Sequence, residues 1–168
     1  AAYYIITGDT ANAKVFLTKM KEIARISEDA TTYAKDLMTS VPEKGTLVTH
    51  GFDDMYSCAY LQNVLKFRPD IQLISLDFLQ SETYRAQLIK KGYSLPTETI
   101  VNTAFLNYLC SLNEAKTISI SMTTPKEYFL DIKQKIYVVG LTFEYHSTVF
   151  NNFYFNDYLW NEKLEKTL

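Results

Sequence analysis

The sequence predicts an α/β domain: a small, mostly parallel sheet of about four strands, flanked by helices and preceded by a helical hairpin. Three observations carry this prediction. Short apolar runs such as Thr46–Thr49 and Ile71–Leu76 recur between segments whose apolar residues fall at helical spacing. That alternation is the signature of strand–helix–strand units around a parallel sheet. The chain of 168 residues is one domain's worth, enough for a real core, and holds no Pro-, Gly- or Ser-rich linker.

The elements follow in order. Gly8-Asp9-Thr10 reads as a turn with a capping acid, after which Ala13, Phe16, Leu17, Met20, Ile23 and Ala24 share one helical face. A second stripe runs through Ala30, Tyr33, Ala34, Leu37, Met38 and Val41 and starts near Ser27 or Glu28. The two stripes are expected to pair as a hairpin over 1–42 packed on the main domain, resembling one tetratricopeptide-type unit; a repeat array needs several. Pro42 to Gly45 break the pattern, and the main domain is expected over 43–168. Thr46–Thr49 is a buried strand, Asp54 to Phe67 a helix, Arg68-Pro69-Asp70 a turn and Ile71–Leu76 a second strand. Gln80 to Lys91 is a helix that stops near Gly92. Pro96-Thr97-Glu98 opens another, with Val101, Ala104, Phe105, Tyr108, Leu109 and Leu112 on its face. Thr117–Met122 is a third strand. Ile136–Tyr145 is a longer fourth strand with Gly140 inside it, its direction left open. The tail from Phe150 to Leu164 is aromatic-rich and expected to be helical.

Composition removes whole classes of function. A net charge of −2 with mixed signs leaves no electrostatic footprint for nucleic acid or acidic membranes. No run of about 18 apolar residues exists, so no membrane-spanning segment is expected. Cys58 and Cys110 share no metal-ligand spacing with His50 or His146 and read as small hydrophobes, with a disulfide between them as the alternative. The chain opens at Ala1 without Met, as a processed protein or an excised piece would. There is no P-loop, dinucleotide glycine fingerprint or G-x-S-x-G elbow.

The stretch THGFDDMYSCAYLQ, from Thr49 to Gln62, gathers the chemistry. Open α/β sheets bind ligands outside the carboxyl ends of their strands, and His50-Gly51-Phe52-Asp53-Asp54 follows the first strand. Gly51 supplies a positive φ or close backbone approach. Asp53 and Asp54 offer carboxylates to a cation or polar ligand, and His50 exchanges a proton near neutral pH. Asp77, in ISLDFL, stands at the corresponding end of the second strand. Three acids around one pocket would suit Mg²⁺ or Ca²⁺; otherwise no cofactor is expected. The plainer reading makes an Asp the helix cap. THGFDD is faintly similar to the acidic strand ends of DHH-type phosphoesterases, whose further His and Asp clusters are missing here.

A longer pattern runs through the chain. Thr49, Gly51, Asp54, Tyr60, Leu61, Gln62, Arg68, Asp70, Leu76, Leu79 and Tyr84 follow in order a strand, T-N-G-D-N-D-T-F-P, a W-Y-L-Q-type helix, R-x-D-V and a strand ending N-L-S-L-L. KTISISMTTPKEYF, VVGLTFEY and FYFNDYLWN match later pieces. Over roughly residues 28 to 162 the chain thus resembles the soluble C-terminal region of the bacterial protein O-mannosyltransferase-like family of multi-span membrane proteins. His50 stands where that pattern has its first Asn, Phe52 where it has its first Asp, Asp53 its second Asn and Ser57 its Pro; Asp54 keeps register. Phe52 removes an acceptor and adds apolar bulk, as in a degenerate site.

The resemblance implies a place on the periplasmic or outer face of a bacterial envelope. Glycosyl-transfer chemistry belongs to the membrane-spanning portion of such proteins and does not carry over. The expected function is a non-catalytic module docking a protein partner or glycan of the envelope, with Phe153, Tyr154, Tyr158 and Trp160 as contact residues. The alternatives are a small metal-assisted hydrolase or glycan-transfer accessory domain using the strand-end acids, and a subunit whose N-terminal hairpin continues a helical array.

Overall fold

A computed structural model describes residues 1–164. The sheet has five strands, not four: β1 (Thr46–Thr49), β2 (Gln72–Ser75), β3 (Ile118–Ser121), β4 (Ile136–Val139) and β5 (Thr142–Tyr145). Their order is β2-β1-β3-β5-β4. β1 runs parallel to β2 and β3, whereas β5 is antiparallel to both β3 and β4. The sheet is therefore mixed, and the expectation of a mostly parallel one is corrected. The cause is local. Gly140 (φ +56°) and Leu141 form a tight turn that folds the expected long strand into a hairpin, with Val139 opposite Thr142.

Helices cover both faces. They are α1 (Ala2–Thr7), α2 (Thr10–Glu22), α3 (Glu28–Thr39), α4 (Phe52–Asn63), α5 (Glu82–Lys90), α6 (Thr103–Leu112) and α7 (Phe153–Tyr158). Because side chains alternate along a strand, Leu47 and Leu73 face α3 and α4, packing with Ala34, Leu37, Met38 and Cys58. Val48, Ile74, Ile118 and Ile120 face the other way, into a core with Leu88, Phe105, Leu106, Leu109 and Cys110. Cys58 and Cys110 are thus free thiols on opposite sides of the sheet, and the disulfide alternative fails.

The helices start where polar side chains accept orphaned backbone N–H groups. Asp9 accepts from Asn12, Ser27 from Ala30, Ser81 from Tyr84 and Asn102 from Phe105. The last cap delays α6 to Thr103 instead of Pro96, while Arg85 donates to the carbonyls of Pro96 and Glu98 in the loop before it. In the N-terminal region α2 and α3 both pack against α4, and a short α1, unseen in the sequence, precedes them.

Both margins of the sheet meet side chains. At β2, the Ser75 N–H donates to the Tyr84 hydroxyl, 3.1 Å away, and that hydroxyl donates to Leu73 O. At β4, the amides of Asn152 and Asn156 both donate to Val138 O, at 2.6 and 2.7 Å.

Arg68 ties the strand starts together. Its guanidinium donates to Met38 O and Val41 O at 2.8 Å, to Pro42 O at 3.0 Å and to both oxygens of Asp70 at 2.9 Å. Asp70 in turn accepts the Lys44 N–H at 3.0 Å. The Arg68 hydrogen bonds hold the Asp70 carboxyl well below the usual carboxylate range, against the opposing effect of burial. A carboxyl so depressed binds its proton less readily when folded than when unfolded. Its stabilisation is complete above the ordinary carboxylate range and is lost as pH falls below it. Arg68→Ala, which leaves Val41 O unpartnered and removes one of the partners of Met38 O and Pro42 O, is expected to cost about 2 kcal/mol or more. Asp70→Asn is expected to flatten the fall of the urea midpoint between about pH 5 and about pH 2. An unchanged acid profile would remove Asp70 from this account.

Candidate functional site

The structure divides the five strand-end candidates into groups. Gly51 (φ +81°) occupies the N-cap position of α4 and offers no side chain to cap it. Its own N–H donates to Asp77 Oδ2 at 2.7 Å. Asp77 opens a single 3₁₀ turn, Asp77–Gln80, directly after β2. The expected capping Asp within α4 is not what forms; the acid comes from the neighbouring strand end. His50 Nε2 lies 3.8 Å from Asp77 Oδ1, beyond hydrogen-bond reach, and its ring rests 5.6 Å from that of Tyr128. His50, Gly51 and Asp77 therefore do come together.

A cavity of about 220 Å³ opens beside them, between the ends of β1 and β2. Gly51, Phe52, Met55 and Tyr56 form one wall, and Ser75, Asp77 and Phe78 the other. Phe52 lines this space without filling it, being 39% exposed, with its ring 4.6 Å from that of Tyr56 and tilted 37° to it. Burial, and secondarily the charge of Asp77, push the Tyr56 phenol above its ordinary value.

Asp54 turns away from that cavity. It is 4% exposed, and its Oδ2 accepts from Thr123 Oγ1 at 2.6 Å, just past the end of β3. Thr123 Oγ1 lies 2.9 Å from Ser121 Oγ. Ser121 Oγ also accepts from the Thr123 N–H at 3.3 Å. Burial and the Asp54 charge push the Tyr33 phenol up, opposed by its bond to Ser121. Strand order reverses between β1 and β3, where α/β domains usually bind ligands. Here a chain of side-chain hydrogen bonds occupies that crevice.

Asp53 is exposed on the first turn of α4. Asp53, Asp54 and Asp77 consequently point to three different surroundings, and among the described residues no group of three His, Cys, Asp or Glu could hold a metal ion. A further pair lies on β5 and just past its end. Glu144 Oε1 and His146 Nε2 are 2.7 Å apart, with Glu144 buried and the His146 ring stacked 3.8 Å from Phe150. Burial pushes the Glu144 carboxyl up, and the bond to His146 opposes it. The E-x-H spacing on a strand, which puts both side chains on one face, was the available signal.

The C-terminal aromatics behave differently from a helix packed on the sheet. Phe153, Tyr154, Tyr158 and Trp160 are 43–75% exposed. Their backbone is nevertheless held: Asn156 accepts from Gly140 N–H at 2.8 Å, and buried Leu159 packs on Val139. α7 continues into one π-helical turn, Leu159–Lys163, so the expected helical tail is present.

If Asp54 closes the crevice through Thr123, Asp54→Ala and Thr123→Val should each destabilise by about 1–3 kcal/mol. A double-mutant cycle in urea should give a coupling of about 1 kcal/mol or more. Strict additivity would show that the two side chains do not depend on each other.

The model of the family TMEM260-associated domain 2 matches residues 30–152. No curated protein and no solved structure matches the chain. The matched segment begins in the first turn of α3 and ends just before α7, so it contains all five strands, the cavity and the Asp54 network. TMEM260 is a candidate O-mannosyltransferase, which agrees loosely, at the level of one domain, with the resemblance carried by the sequence motifs. With well over half of its residues matched, the chain belongs to the TMEM260-associated domain 2 family.

Proposed function

We propose that this chain is a non-catalytic docking module of a cell-envelope protein, and that its C-terminal aromatic face takes a protein partner, with a glycan as the second occupant. The observation that carries this reading is the combination of exposed rings with a fixed backbone. Phe153, Tyr154, Tyr158 and Trp160 project into solvent from a segment anchored by Asn152, Asn156 and Leu159. Exposed apolar surface of this kind marks interaction sites. Rigid aromatic side chains also lose little conformational entropy when covered.

The ring arrangement favours protein over sugar. Phe153 and Tyr154 meet at 83°, and Val149, a few residues earlier in the chain, is 93% exposed. A sugar would stack on a flat platform, whereas inclined rings make pockets for side chains. The assignment as non-catalytic rests on the acids: Asp54 serves Thr123 and Asp77 serves Gly51, both as structural acceptors. The envelope setting rests on the O-mannosyltransferase-like resemblance, with the transfer chemistry left to the membrane-spanning part of such proteins.

A photo-crosslinking residue at position 154 is expected to give a discrete product in the cells of origin, absent when the probe sits at exposed Lys133. Replacing Phe153, Tyr154, Tyr158 and Trp160 together by Ser should lower Tm by no more than about 5 °C and abolish the crosslink from a probe at Val149. A much larger fall in Tm would make these rings part of the fold. Equal products at 154 and 133 would remove the docking face.

A further inference from the structure

We propose that the cavity between the ends of β1 and β2 binds a small organic cation of the quaternary or methylated ammonium class. The inference does not depend on the docking role of the C-terminal aromatics. Three rings bound the cavity: Phe52 and Tyr56 from α4, and Phe78 from the turn after β2. Their planes are mutually inclined, with Tyr56 at 37° to Phe52 and at 78° to Phe78, centroids 4.6 and 6.3 Å apart. Inclined aromatic faces around a space are the arrangement that holds a methylated ammonium, because each ring presents its negative quadrupole to a cation that is poorly hydrated. The Met55 thioether adds a polarisable wall.

The charges agree with this. Asp77 is the one carboxylate on the cavity wall, with a side chain 45% exposed. Its Oδ2 is committed to Gly51 N–H, whereas Oδ1 is 3.8 Å from His50 Nε2 and makes no hydrogen bond. An anion would meet that carboxylate. A free sugar would lack partners, since the remaining walls are largely apolar. Arg25 lies 5.4 Å from the Phe52 centroid and is not among the residues lining the cavity, so this ring already carries one cation outside it.

A second observation marks the space as a site. Ser75 is fully buried on the cavity wall and its hydroxyl has no hydrogen-bond partner. A buried polar group left unpaired is costly. A ligand hydroxyl beyond the ammonium would pair with it, which fits a head of choline size in about 220 Å³.

The test titrates the whole chain with choline and with its carbon isostere 3,3-dimethylbutan-1-ol, following backbone amides by NMR. Choline is expected to shift Gly51 and Ser75 saturably, with an affinity of about 1 mM or tighter. The isostere, of the same shape without the charge, should bind at least about tenfold more weakly. Asp77→Asn, checked for fold by circular dichroism, should weaken choline about tenfold and leave the isostere unchanged. Phosphocholine, which brings a phosphate near Asp77, should bind more weakly than choline. Equal affinity for the two isosteres, no saturable shift at about 50 mM choline, or tighter binding of phosphocholine would overturn the proposal. The comparison of isosteres on the unaltered chain decides even if Asp77→Asn does not fold.

Discussion

Arg68 is the residue on which the arrangement of the sheet depends. One guanidinium satisfies carbonyls at the end of α3 and in the following loop while gripping Asp70, which holds the Lys44 amide. The segment that enters β1 and the segment that enters β2 are thereby fixed side by side before either strand begins. Gln72 N–H then meets Gly45 O at 3.0 Å, and the parallel register from Thr46 opposite Gln72 to Thr49 opposite Ser75 follows. Arg68 itself adopts φ +46°, a strained conformation that its five side-chain hydrogen bonds over-determine. A lysine would keep the charge and lose the fork that reaches several acceptors at once.

From that register comes the division of labour at the opposite ends of the strands. The crevice between β1 and β3 is filled from within: Asp54, Thr123, Ser121 and Tyr33 satisfy one another there. The opening that survives lies one strand over, between β1 and β2, where Gly51 has no side chain and Asp77 is held against the backbone. Phe52, which removes an acceptor from the pattern of the resembling family, supplies aromatic wall to this second space.

Much of this was legible in the chain because it is local. Thr46–Thr49 carries a strand pattern bounded by Gly45 and Gly51, and the structure places β1 on those four residues. The positive φ expected at Gly51 is there, and the helical tail with its aromatic content is too. What escaped depends on distance or on brevity. Asp54 finds its partner 69 residues away, so no spacing rule could connect them. The run from Ile136 to Tyr145 keeps strand character on both sides of Gly140, which hides the turn, although a glycine inside a strand pattern is a known mark of such a break. α1 spans only Ala2–Thr7 and has too few turns to show a periodic face. α6 starts late because Asn102 out-competes the earlier proline as a start signal. The cavity itself needs two separate strand ends in register, which only the folded chain supplies.

The two margins of the sheet have a consequence for how this domain meets its neighbours. Exposed strand edges invite another chain to continue the backbone ladder, by strand addition or by aggregation. Here a tyrosine hydroxyl stands at Ser75 and Leu73 on one margin, and two asparagine amides stand at Val138 on the other. A strand arriving at either point would have to displace bonds already made. Main-chain templating at these two points is thereby disfavoured, and the sheet is kept at its present width.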